Sequence, residues 1–151
     1  MEQILNGDPI TILLVEDDPA HAEIVRRNLK SSRIANNLIH LEDGQAALDY
    51  FFDRDTRRIS EHITWPHLIL LDLRLPKVDG LEVLEELRNN EMTSRIPVVV
   101  LTTSSAEIDI AKAYKYHANS YLVKPVDFSK FVELMETFDY YWLIWNQFPK
   151  K

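Results

Sequence analysis

LILLDLRLPKVDG, residues 68–80, runs apolar for four positions and then stops at an aspartate, Asp72. A strand without polar alternation is one with both faces covered, the condition of strands inside a parallel sheet flanked by helices. A carboxylate that ends such a strand stands on the rim where open α/β sheets bind their ligands.

Outward from it, short apolar runs alternate with longer segments of helical period, the signature of βα units. The strands expected are ITILLVE (10–16), the weaker ANNLIHLE (35–42), HLILLD (67–72), IPVVVLTT (96–103) and NSYLVK (119–124). The first helix opens with Asp18 as N-cap and Pro19 in its first turn, and carries Ile24, Val25 and Leu29 on one face. The second is DGQAALDYFFDRD (43–55), followed by a charged loop to Pro66. GLEVLEELRNN (80–90), AEIDIAKAYKYH (106–117) and DFSKFVELMETFDYYWLIW (127–145) complete five strands and five helices in strict alternation, an α/β doubly wound sheet. Residues 1–9 read as an N-terminal extension, 10–138 as the domain and 139–151 as an aromatic extension of the last helix.

Composition narrows the function classes. The chain of 151 residues suits one domain. It has no cysteine, which excludes disulfides and thiolate chemistry and fits a reducing compartment. No apolar run approaches the ~20 residues of a membrane span and no signal sequence opens the chain, so a cytoplasmic protein is expected. With 24 acidic against 17 basic side chains the net charge is −7, the wrong sign for a nucleic-acid binder.

The alternation puts every conspicuous polar group on one rim: Glu16, Asp17 and Asp18 after strand one, Asp72 after strand three, Thr102 and Thr103 after strand four, Lys124 after strand five. Crowded carboxylates either protonate or share a cation. Mg²⁺, with Mn²⁺ as the alternative ion, suits two or three carboxylates and a main-chain carbonyl, with water filling the shell. Metal and ammonium together suit a phosphoryl group, and Asp72 could be the nucleophile that receives it.

VEDDP, LLDLRLPKVDG, VVVLTTSS and SYLVKPVD, in that order, resemble the receiver domain of two-component response regulators. The resemblance implies a flavodoxin-like sheet of order 2-1-3-4-5, the order of the chemotaxis receivers. It implies that Asp72 accepts phosphate from a sensor histidine kinase, and that Glu16, Asp17, Asp72 and the Arg74 carbonyl hold the metal. Lys124 would pair with the phosphoryl group, Thr102 would move to bond it, and Tyr121 would be the aromatic switch. Pro125 suggests a cis bond after Lys124. Within the family, VEDDPAH, HANSYLVKP and the aromatic end FDYYWLIW resemble the single-domain regulators of bacterial phytochrome kinases, with His117 where many receivers have glycine.

Plainer readings stand beside these. Asp18 is a helix cap first, Asp79-Gly80 a turn and cap, and His21, His40, His62, His67 and His117 ordinary surface or edge residues. A haloacid dehalogenase-type phosphatase would need an aspartate where Arg74 stands. An FMN carrier would need a small, neutral phosphate loop where Glu-Asp-Asp-Pro stands. A phosphorylation-independent adaptor is the main alternative. Finally, Phe128, Phe131, Met135, Phe138, Trp142 and Trp145 form one helical stripe, whereas Tyr141, Leu143, Ile144 and Phe148 lie outside it. Clustered apolar surface of this kind marks an interface, so a symmetric homodimer is expected through Phe138, Tyr141, Trp142, Ile144 and Trp145, with the downstream partner unknown.

Overall fold

The computed structural model describes residues 9–32, 35–103, 106, 112, 114–124, 127, 129–134 and 136. Its elements are β1 (Ile10–Val15), α1 (Pro19–Lys30), β2 (Asn36–Leu41), α2 (Gly44–Phe51), β3 (Leu68–Asp72), α3 (Gly80–Arg88), β4 (Val98–Thr102) and β5 (Ser120–Val123). Residues 112, 114 and 115, and then 129–134 and 136, are also helical, where the fourth and fifth helices are expected. The five strands are parallel and ordered β2-β1-β3-β4-β5.

All residues of β1, β3 and β4 are buried, and alternate side chains enter two cores on opposite faces of the sheet. Leu13, Val15, Ile69, Leu71, Val98 and Val100 meet α2 and α3 through Phe51, Val83, Leu84 and Leu87. Ile12, Leu14, Leu70, Val99 and Leu101 meet α1 through Val25 and Leu29, and the fifth helical segment through Phe131. At ~25 cal/mol per Å² of apolar surface, these two layers dominate the stabilisation.

Two expectations are corrected. The second helix stops at Phe51 instead of running to Asp55. Phe52 is extended and bridges Ile59, Ser60 N–H donates to the Phe51 carbonyl, and the Asp53 carboxylate accepts from the N–H groups of Asp55 and Thr56. A side chain that satisfies its own downstream backbone offers the chain a turn in place of another helical turn. On α1, Ile24 is 37% exposed, while Ala22, Val25, Asn28 and Leu29 form the buried face.

Glycine is required where the first residue of a helix lies against neighbouring backbone. A Cβ on Gly80 would lie 2.1 Å from the Asp72 carbonyl oxygen, and one on Gly44 would lie 1.7 Å from that of Val78. Both contacts are impossible, so α3 starts flush against the end of β3 because residue 80 has no side chain.

Candidate phosphoryl and metal site

Parallel pairing brings the polar rim together. Val15 pairs Leu71, which sets Glu16 beside Asp72, and Thr102 pairs Val123, which sets it beside Lys124. Lys124 N–H also donates to the Thr102 carbonyl at 2.8 Å. Glu16 and Thr102 are fully buried and Asp72 is 4% exposed, whereas Asp17 faces solvent. Buried ionic groups survive only if they are paired. Here Lys124 Nζ donates to Glu16 Oε1 and, at 3.1 Å, to Asp72 Oδ2. The other oxygen of each carboxylate takes a main-chain donor: Asp18 N–H to Glu16 Oε2 at 3.1 Å, and Arg74 N–H to Asp72 Oδ1 at 3.1 Å.

Burial pushes the Glu16 carboxyl above its ordinary value and the charge of Asp72 adds to this, while hydrogen bonds from Lys124 and Asp18 pull the other way. Glu16, Asp17 and Asp72 each offer an oxygen, all within 4.8 Å of one another. Opposite ligands of an octahedral Mg²⁺ lie about 4.2 Å apart, so the three carboxylates need only a small adjustment to share one ion. Three carboxylates against one ammonium leave two negative charges, which one divalent cation neutralises. The donor set is all oxygen, as a hard cation requires.

The surrounding caps are those expected. Asp18 Oδ1 accepts from Ala20 and His21 N–H at 2.8 and 3.3 Å, and Asp79 Oδ1 from Leu81 and Glu82 N–H at 2.9 and 3.1 Å. Tyr121, half buried on β5, meets Tyr114 edge to face with ring centroids 5.6 Å apart. His117, where many receivers have glycine, holds φ 59°, in the left-handed region that glycine adopts most readily. Pro125 and the residues named for the interface lie outside the described residues.

Two of the histidines read as ordinary surface or edge residues adjoin the site, His40 from the edge strand β2. His40 Nε2 lies 2.7 Å from the Glu16 carbonyl oxygen, and because a carbonyl only accepts, the imidazole must donate there. His21 Nδ1 lies 3.0 Å from Lys124 Nζ. The available signal was positional: His21 is in the first turn of a helix that starts at the site, and His40 pairs Leu14 next to the end of β1.

Residues 12–136 match the family model of the response regulator receiver domain. The chain belongs to that family. This receiver is 45% identical over 144 residues to the probable methanogenesis regulatory protein FilR2 of Methanothrix harundinacea, covering 94% of this chain and 89% of that protein. It is 43% identical over 138 residues to the response regulator Rcp1 of Synechocystis, covering 91% and 92%. The Mn²⁺-bound crystal structure of Rcp1 superposes with TM-score 0.74 at 42% identity, over 94% of this chain and 100% of that one. The phosphorylated cyanobacterial phytochrome response regulator RcpA superposes with TM-score 0.74 at 35% identity, over 94% and 99%. Among the described residues no helix is long and apolar enough to cross a membrane.

Proposed function

We propose that this receiver takes a phosphoryl group from a sensor histidine kinase onto Asp72 and relays the signal through a changed protein-binding surface. The observation that carries this is a nearly buried Asp72 with one oxygen on Lys124 and a place in a three-carboxylate cluster. In the transfer, an Asp72 oxygen attacks phosphorus, the bond from phosphorus to the kinase imidazole nitrogen breaks, and the departing nitrogen keeps the electron pair. An acyl phosphate results. Lys124 carries positive charge to where the phosphoryl oxygens arrive, which is the main catalytic requirement of such a transfer. Glu16, Asp17, Asp72 and the Arg74 carbonyl would hold Mg²⁺, or Mn²⁺ as in the Rcp1 crystal, and the ion would neutralise charge on the transferred group. Thr102 would then draw toward the phosphoryl group and Tyr121 would reorient, giving the two states different contacts.

On this reading the protein is a phosphoacceptor whose only chemistry is its own phosphorylation and dephosphorylation. It works in the cytoplasm, with residues 10–138 as the receiver unit and 1–9 and 139–151 as extensions. The likeness to RcpA supports a phytochrome kinase as partner. Incubation with Mg²⁺ and a small phosphodonor should add one phosphoryl mass to the wild type and none to Asp72→Asn. Retention of that mass in the variant would refute the assignment.

Self-association through Phe138, Tyr141, Trp142, Ile144 and Trp145 belongs to the same proposal and rests on the apolar sequence after Tyr140. Sedimentation of the full chain should give a dimer at tens of micromolar, and a chain ending at Asp139 a monomer. A monomeric full chain, phosphorylated or not, would remove the dimer.

A further inference from the structure

The Lys124 ammonium has three N–H donors. Three acceptors surround it: Glu16 Oε1, Asp72 Oδ2 at 3.1 Å and His21 Nδ1 at 3.0 Å. The first two come from strand ends, and the third from the first turn of α1. For the contact with His21 to be a hydrogen bond, Nδ1 must present its lone pair, which places the ring proton on Nε2. Nε2 lies 3.7 Å from Asp18 Oδ2. The opposite oxygen of that carboxylate caps α1 through the main chain of Ala20 and His21. Asp18 therefore fixes the backbone of His21 and favours the tautomer that lets Nδ1 accept from Lys124. Core packing does not account for the residue, whose side chain is 34% exposed.

We propose that His21 is a positioning residue for phosphoryl transfer: it holds the third proton of the Lys124 ammonium, so that the other two point at Glu16 and at the reacting carboxylate. The inference rests on the reading of Asp72 as phosphoacceptor. A lysine has a flexible four-carbon stem, and the direction of its ammonium is set by its partners. An arriving phosphoryl group competes with Asp72 Oδ2 for one of those protons. A neutral imidazole in the third place anchors the ammonium without adding a further negative charge against the incoming oxygens.

The geometry can be tested before any phosphate is added. ¹⁵N NMR of the imidazoles in the unphosphorylated full chain should show the His21 proton on Nε2, and a proton on Nδ1 would overturn the proposal. The kinetic test uses two variants and a small phosphodonor with Mg²⁺. His21→Asn retains an acceptor oxygen at the reach of Nδ1, and His21→Leu removes it. His21→Leu should label Asp72 at least about tenfold more slowly, with most of the rate recovered in His21→Asn, the scale of one hydrogen bond to a charged group. Equal rates in His21→Leu and wild type, or equal losses in both variants, would overturn the role. A wild type that takes no label on Asp72 would instead defeat the functional reading, and the tautomer would still decide whether His21 binds Lys124.

Discussion

Lys124 and Arg88 stand at opposite ends of the sheet, and they are held in opposite ways. At the carboxyl end, Lys124 meets two carboxylates and an imidazole. At the amino end, Arg88 of α3 donates from Nε and Nη2 to the His117 carbonyl at 3.2 and 3.0 Å, and from Nη1 to the carbonyls of Ser94 and Ile96 at 3.0 and 2.9 Å. Its Nη2 also reaches Asn119 Oδ1 at 3.3 Å. A guanidinium has five N–H groups, and these bonds use all of them. Every acceptor is neutral, and burial pushes the Arg88 guanidinium below its ordinary value. A cation among carbonyls ties together segments that enter β4 and β5. A cation among carboxylates balances charge, and it can trade one anionic partner for another when a phosphoryl group arrives.

Substitution should separate the two roles. Lys124→Met should slow labelling of Asp72 about a hundredfold, the usual cost of losing one preorganised group that stabilises developing negative charge. Its effect on folding should be smaller than that of Arg88→Ala, because Glu16 can take up a proton: burial already raises its pKa. Arg88→Ala should reverse the pattern. It strands the part-buried carbonyls of Ser94 and Ile96 and unties that of His117, and should lower the unfolding free energy by about 3 kcal/mol while labelling still proceeds. Arg88→Lys should recover only part of this, since three donors cannot serve the same acceptors. Urea titration with intact-mass labelling on the same samples reads both quantities. A Lys124 variant that loses stability but not labelling would break the comparison.

The two ends also differed in how far they could be read from sequence. Asp72 and Lys124 were legible because each ends an apolar strand, and parallel alternation leaves such residues only one rim to occupy. Arg88 gave no comparable signal, since its partners are backbone carbonyls, which every residue carries. His21 and Lys124 are 103 positions apart, and no local spacing joins them. The same limit explains the errors in α1 and α2. Periodicity placed Ile24 on the buried stripe, yet the face centres on Ala22, Val25 and Leu29, and the less apolar Asn28 is covered instead. Phe52 looked like another helical apolar residue, but the bridge to Ile59 and the turn built by Asp53 claim it.

His67 offers the finest test, because it belongs to the amino end and sequence reads it as an ordinary surface or edge residue. It precedes β3, and its Nδ1 accepts the Thr11 N–H at 2.9 Å while its own N–H donates to the Thr11 carbonyl at 2.7 Å. Burial holds the imidazole below its ordinary value of 6.5. A proton on Nδ1 would also remove the lone pair that Thr11 uses. The unfolded chain therefore binds the proton more tightly, so this residue's contribution is complete above pH 6.5 and declines as pH falls through the folded value. One proton can change the slope by at most about 1.4 kcal/mol per pH unit. His67→Asn keeps an acceptor at the same reach and does not titrate. Urea midpoints between pH 7.5 and 5.5 should fall less in this variant than in wild type, with labelling of Asp72 unchanged at neutral pH. Parallel pH profiles would mean that His67 binds its proton equally well in the folded and the unfolded chain, and the amino end would then owe its order to Arg88 and the strand ladder alone.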